Sequence, residues 1–339
     1  MVSLNDEKNY QKIGNIGEIK MILALIFLVV GFVLLIKGAD FFVDGASSIA
    51  KQLRIPSLVI GLTIVAFGTS APELAVSISA ALKGSNDIAI GNVVGSNIFN
   101  LLIVVGVSAV IFPLHVKKSM IKKDYPLSII AAVLLGILAM DTMFGKEYME
   151  ISRIDGIILL IGFAIFMYLT VKEGLRGRAE SLENEEEIEV KYGLWMSILV
   201  CILGLAAIVF GGNLAVDGAK TIARIFGLSE ALIGLTIVAF GTSLPELVTS
   251  IVAAKKGESD ISLGNVVGSN IFNIFLILGV SGTILPMKVA NTYLYDIAIL
   301  VIISVVYFIP ICKTKKVSKG VGAAMVMTYA AYMVYLFVR

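Results

Sequence analysis

The chain has 339 residues, 58% hydrophobic and 15% charged, with a net charge of +2 and a mean hydropathy of +0.95. A soluble domain of this length carries about a quarter charged residues, and a membrane barrel reads as short alternating segments, so both classes are excluded. The near-neutral balance offers no basic face for nucleic acid, and Cys201 and Cys312 lie in apolar runs without metal-ligand spacing.

Taken in chain order, residues 1–20 are polar and mixed in charge, and the first apolar run begins at Met21. That run is too long for a signal-peptide core and ends without a small-residue cleavage site, so it reads as an uncleaved first span over 21–43. Runs of bilayer-spanning length follow at 56–82, 88–112, 125–140 and 154–171, then at 194–217, 229–254, 261–285, 292–311 and 318–338. The expected fold is an all-α polytopic membrane protein with ten transmembrane helices. The widest polar break, 172–193, holds seven glutamates against four basic residues and reads as a solvated tether. His115, at the start of a basic loop, reads as a surface residue. Asp44 and Asp217, near span ends, read as caps or interfacial charges.

An internal repeat is the strongest pattern. Residues 60–100 shifted by 173 fall without a gap on 233–273, with 32 of 41 positions identical. "IGLTIVAFGTS" and "GNVVGSNIFN" recur in full, and "VDGA" at 43–46 returns at 216–219. Five spans separate equivalent points, and an odd number turns the second copy upside down. The expected organisation is a first five-helix repeat over 21–171, the acidic linker over 172–193 and a second, inverted repeat over 194–339. Inverted copies place the substrate site where they meet. Sixteen of the 27 Lys and Arg residues fall in loops after odd-numbered spans, against ten in the termini and other loops. The positive-inside rule then puts both termini outside and the linker in the cytoplasm.

The repeated words carry unusual chemistry. Pro72 lacks an amide hydrogen and its ring crowds the Gly68 carbonyl, so the second span should break and leave carbonyls of residues 66–69 without partners. Such carbonyls cost several kcal/mol each in lipid unless they line a polar cavity or bind something. Thr69 and Ser70 precede Glu73 by four and three residues and share its helical face. Pro245, Gly241, Thr242, Ser243 and Glu246 repeat the set. In the third span Asn92, Ser96 and Asn100 form a stripe, and Gly91 and Gly95 allow a close helix approach. Asn265, Ser269 and Asn273, with Gly264 and Gly268, do the same in the eighth. Asn97 and Asn270 point about 100° away from the stripes and are expected to bind backbone between helices. No Lys or Arg occurs in 55–82, 84–116, 225–254 or 257–287. Two embedded carboxylates without a basic partner leave protonation, a shared proton or a bound cation. The surrounding hydroxyls, amides and carbonyls favour the cation. An all-oxygen set of charge −2 suits Ca²⁺, with smaller sub-sites for Na⁺.

"GTSAPE" and "GTSLPE", each followed by "GNVVGSNIFN", resemble the α-repeats of the sodium/calcium exchangers in the calcium/cation antiporter superfamily. The resemblance covers nearly the whole chain beyond residue 20. It implies that Glu73 and Glu246 ligate Ca²⁺ and alternately Na⁺, joined by the carbonyls of Thr69 and Thr242. It implies Na⁺ ligation by Ser70, Ser243, Ser96 and Ser269 with the carbonyls of Ala66 and Ala239, and a central role for Asn100 and Asn273. Asn at both of the last positions resembles the potassium-independent pattern. Gly95 and Gly268 stand where the proton-coupled branch has an acidic residue. The implied function is Na⁺/Ca²⁺ antiport by alternating access in the cell membrane, with the first and sixth spans sliding across the core. No cofactor is expected beyond the transported ions, the lipid bilayer is the expected partner, and the oligomeric state stays open. The alternative is a proton-coupled exchanger or one for another divalent ion such as Mn²⁺. A passive channel fits an occluded site poorly, and a hydrolase would lack a histidine base and a nucleophile–base–orienter set.

Overall fold

The computed structural model describes residues 4–140, 149–183, 190–228 and 239–338. The first helix, α1 (Leu4–Leu53), runs well past the bilayer-length limit of 43. No proline interrupts it until Pro56, and Arg54 ends it in the left-handed conformation at φ 55°. Its sequence counterpart, α7 (Leu194–Ile225), likewise passes 217 and stops at Gly227, φ 78°, where Leu228 N–H returns to the Ala223 carbonyl. Asp44 and Asp217 therefore lie inside helices and are not caps.

These two helices form one unit. A Cβ on Gly38 would stand 2.8 Å from the Gly204 carbonyl oxygen, and one on Gly218 would stand 2.6 Å from that of Ala24. Gly31 meets Gly211 and Ala215 in the same way, and Gly45 meets Ser197 and Cys201. Glycines seven apart on both helices thus let the backbones touch, with residue numbers rising on one as they fall on the other. The pair is antiparallel.

The second span is broken as expected: α2 (Ser57–Thr69) and α3 (Ala71–Leu82) meet at a 50° bend. Next come α4 (86–111), a π-turn over Met120–Asp124 leading into α5 (Tyr125–Leu138), and α6 (Arg153–Glu183). Beyond α7 stand α8 (Ala239–Thr242), α9 (Leu244–Lys255), α10 (Ser259–Ile284), α11 (Asn291–Thr314) and α12 (Lys319–Val338). Residues 184–189 of the linker and 229–238 of the seventh expected span lie outside the described residues. Among the described residues seven helices are long and apolar enough to cross a membrane, eight with the bent pair. The expected fourth span appears as the 14-residue α5. The chain is an all-helical, multi-pass membrane protein.

The core sits around α10, buried over 89% of its most apolar window, and α4, buried over 72%, whereas α12 is buried over only 11%. The two helices that carry the polar stripes are thus the covered ones, and the stripeless α12 is peripheral. Gly264 and Gly268 give α10 its close approach: Cβ atoms there would lie 3.0 Å from Gly61 Cα and 2.8 Å from the Leu62 carbonyl oxygen. Gly91 faces the Tyr293 ring, and nothing described lies within 4 Å of a Cβ at Gly95. Two short antiparallel bridges clip the loops: β1 (Leu114–His115) with β4 (Lys316–Val317), and β2 (Glu150–Ile151) with β3 (Met287–Lys288). His115 is exposed on the first of them.

Candidate cation site

The centre is built by two breaks. Ser70 (φ −80°, ψ 5°) separates α2 from α3, and Ser243 (φ −92°, ψ 7°) separates α8 from α9. Each break is followed by a proline near the start of the new helix, where its missing N–H costs nothing. Glu73 and Glu246 then fall in the first turns of α3 and α9, the favourable end of the helix dipole for an anion. The Ala66 carbonyl accepts Ser70 N–H at 3.0 Å, and that of Gly68 is also bonded at the break. Fewer carbonyls are bare than the sequence implied, because the turn at Ser70 closes these bonds before Pro72 is reached.

Both glutamates are fully buried. Ser70 Oγ donates to Glu246 Oε1 at 3.1 Å, and Ser243 Oγ donates to Glu73 Oε1 at 3.0 Å. Each of these two hydroxyls thus serves the other copy's carboxylate, a pairing that helical spacing within one copy does not indicate. Ser96 Oγ lies 3.2 Å from Ser243 Oγ. Thr69 Oγ1 donates to Asn265 Oδ1 at 2.9 Å, and Thr242 Oγ1 to Asn92 Oδ1 at 3.4 Å. Asn92 and Asn265 in turn bind the Glu73 and Glu246 carbonyls and the hydroxyls of Ser77 and Ser250. These two amides brace the breaks, while Asn100 Nδ2 and Asn273 Nδ2 donate to Asn270 Oδ1 and Asn97 Oδ1. Asn97 and Asn270 bind each other's backbone carbonyls across the helix interface, as their angular offset implied. The four-residue stripes thus divide by role, which sequence spacing does not reveal.

One oxygen of each glutamate, Glu73 Oε2 and Glu246 Oε2, is buried without a hydrogen-bond partner. Asn100 Oδ1, Asn273 Oδ1 and Ser269 Oγ share that condition. Unpaired buried oxygens of this kind are costly, and a carboxylate most of all. Among the described residues no three of His, Cys, Asp and Glu gather, so the donors are two carboxylates and neutral oxygens. That set fits a hard cation and not a thiophilic one. Of the twelve residues singled out in the sequence, Ala66 is present with its carbonyl bonded, and Ala239 opens α8.

The two flanks of the centre differ. On one, α1 covers α9: Ala253, Val248 and Val252 share an apolar cluster with Leu35, Ala39, Phe42 and Val43. Ions seal it, with Lys256 Nζ 2.7 Å from Asp40 and 2.6 Å from Asp44, Lys191 Nζ 2.5 Å from Asp44, and Ser47 Oγ donating to Glu258 at 2.6 Å. On the other flank Ala71, Ala75, Ile78, Ser79 and Leu82 of α3 line an open groove of about 430 Å³. Asp217 pairs with Lys220 of its own helix.

A polytopic helical bundle with a buried, doubly acidic, all-oxygen centre is a membrane cation transporter in kind. The family model described as sodium/calcium exchanger protein matches residues 23–172 and 196–338, and the chain belongs to that family. Its relatives include a putative antiporter, CaxA, of Alkalimonas amylolytica, 40% identical over 94% of this chain and 99% of that one. The sodium/calcium exchanger MaX1 of Methanosarcina acetivorans is 37% identical over 92% and 98%. Among solved structures, the sodium-calcium exchanger NCX_Mj soaked with Na⁺ and Sr²⁺ superposes with a TM-score of 0.80 at 35% identity, covering 93% of this chain and 98% of the other.

Proposed function

We propose that the chain exchanges Na⁺ for Ca²⁺ by alternating access, inward Na⁺ driving Ca²⁺ out of the cell across the plasma membrane, without potassium. The observation that carries this reading is the pair of buried glutamates, each with one oxygen unpartnered, among neutral oxygens and on chain stretches, 55–82 and 225–254, that hold no lysine or arginine. Two carboxylates stabilise one Ca²⁺ or a load of Na⁺. Both together would exceed their charge, so the ions compete for one set of ligands and exchange follows. Ca²⁺ is held by Glu73, Glu246, Asn100, Asn273 and the Thr69 and Thr242 carbonyls. Na⁺ uses Ser70, Ser243, Ser96, Ser269 and the Ala66 and Ala239 carbonyls, whose second lone pairs stay available.

The antiparallel contact between α1 and α7, which are sequence counterparts, supports two inverted repeats; the ten spans follow from the apolar runs, and both termini outside with 172–193 in the cytoplasm from the Lys and Arg distribution. The covered and open flanks support a gate in which that pair shifts across the core. The test is Na⁺-gradient-driven uptake of labelled Ca²⁺ into proteoliposomes. Glu73→Gln and Glu246→Gln should each reduce uptake to background, and full uptake by either variant rejects the site. Removing K⁺ should leave the rate unchanged. Collapsing ΔpH at a constant Na⁺ gradient should also leave it unchanged, whereas loss of transport would favour proton coupling.

A further inference from the structure

The lysine that seals the covered flank has a twin. Shifted by 173 positions, Lys256 falls on Lys83, Asp44 on Asp217 and Asp40 on Asn213. The two lysines are presented alike. Each caps its helix, Lys83 at φ −89° and Lys256 at φ −79°, both with ψ 0°. Each is followed by a left-handed glycine, Gly84 at φ 70° and Gly257 at φ 77°. Their settings differ. Lys256 Nζ reaches across to α1, 2.7 Å from Asp40 and 2.6 Å from Asp44, and Lys191 joins it on Asp44. Lys83 stands at the end of the open groove and enters no ion pair among the described residues. The Asp44 side chain is 15% exposed, and that of Asp217, paired to Lys220 of its own helix, is 64% exposed. The α1–α7 contact fixes where the two acids lie. Gly45 packs on Ser197 and Cys201, and Gly218 packs on Ala24. Asp44 is therefore level with the start of α7, and Asp217 stands about 16 residues, or roughly 24 Å, further along it.

We propose that Lys83 and Asp217 form the matching ion clasp of the opposite state, in which α7 covers α3 as α1 covers α9 here, so that one clasp opens as the other closes. The inference rests on the alternating gate and the inverted repeats proposed above. By that inversion Lys83 lies at the same end of the bundle as Asp217, just as Lys256 lies at the end of Asp44. Because α1 and α7 touch backbone to backbone, they move as one unit. A shift that parts Asp44 from Lys256 then brings Asp217 to Lys83. Asp217 comes to sit between Lys83 and Lys220, as Asp44 sits between Lys256 and Lys191. The clasps are unequal. Asn213 stands where Asp40 supplies a second carboxylate, and Lys220 and Ser85 stand where Ser47 donates to Glu258. The first clasp has more bonds to hold it, which biases the chain to the state with the α9 flank covered.

The experiment is maleimide labelling of the purified full chain in detergent, with Cys201 and Cys312 replaced by serine. The reporters are Val252→Cys on the covered flank and Ala75→Cys in the groove. Asn213→Asp completes the second clasp. It should raise the labelling rate at Val252→Cys about two- to fivefold, the scale of one partly exposed ion pair, and lower it at Ala75→Cys. Adding Lys83→Gln should abolish that shift, and adding Lys83→Arg, which keeps the charge, should preserve it. Asn213 and Lys83 are both exposed, so neither change disturbs packing. Unmoved labels in Asn213→Asp, or a shift that survives Lys83→Gln, overturn the clasp. Na⁺-driven Ca²⁺ uptake by the unsubstituted chain in proteoliposomes separates the two levels. Absent uptake rejects the exchange reading on which the clasp rests, whereas uptake together with unmoved labels rejects the clasp alone.

Discussion

Ser70 and Ser243 hold the central carboxylates from across the interface, each giving its one hydroxyl hydrogen to the other copy's glutamate. A hydrogen bond to a charged group contributes about 1.5–3 kcal/mol, so Ser70→Ala and Ser243→Ala should each lower apparent ion affinity roughly tenfold or more. Near-equal losses in the two variants, measured by Na⁺-dependent Ca²⁺ flux, would match the near-equal distances. A different acid governs stability outside the spans. Asp124, in the π-turn before α5, is fully buried, and its carboxylate meets Lys123 at 3.3 Å without a hydrogen bond, on a lysine also paired to Glu173. Burial pushes its pKa up to about 6, against the pull of Lys123. The folded state thus favours the neutral acid, and stability falls as pH rises from the ordinary aspartate range through 6. Asp124→Asn should raise the melting temperature at pH ~7.5 and change it little at pH ~3, below both pKa values. An equal gain at both pH values would refute the assignment.

Elements obey sharper geometric limits. A Cβ on Gly204 would lie 2.6 Å from the Phe42 amide nitrogen, and neither backbone can yield without opening the α1–α7 seam. Gly204→Ala should cost about 1–3 kcal/mol, the usual range for overpacking. Gly320→Ala, with nothing within 4 Å of its Cβ, should shift thermal unfolding in detergent by no more than about 0.5 kcal/mol. The break at Ser70 was legible in the sequence because Pro72 acts within its own turn. The length of α1 was not, because bilayer thickness says where a span can stop and only a breaker, here Arg54 and Pro56, says where the helix does. The hydroxyl exchange was missed for a related reason: helical spacing relates residues within one segment, and the partners here lie 176 and 170 positions apart.

Across the whole molecule, the near-identical repeats are housed unequally. Four of the nine positions where they differ are Ala71, Ala75, Ser79 and Leu82, matched by Leu244, Val248, Val252 and Lys255. The first set lines the open groove, and on the second flank Val248 and Val252 pack against α1. Small residues stand on the open side and larger ones on the covered side, so the divergence carried a signal that identity alone obscured. Lys256, bridging Asp40 and Asp44, ties the covered side down. Partly exposed ion pairs contribute roughly 0.2–1 kcal/mol each, so Lys256→Gln should shift the balance between open flanks by a few-fold. In a chain with Cys201 and Cys312 replaced, thiol labelling should then rise at Val252→Cys and fall at Ala75→Cys. No change at either position would remove the ion pairs from the gate.

By itself, the sequence determined the class of the protein, the repeat and the two embedded glutamates. Long apolar runs, an exact shift of 173 and two acids without basic neighbours are properties of order along the chain. The tertiary structure alone decided which hydroxyl serves which glutamate, which of the stripe amides brace the breaks, and which flank stands open. The first depends on hydrogen bonds between residues 170 and 176 positions apart, and the covered flank on one between residues 216 apart. Contacts at that separation are set by how bent helices pack, and no local periodicity encodes them.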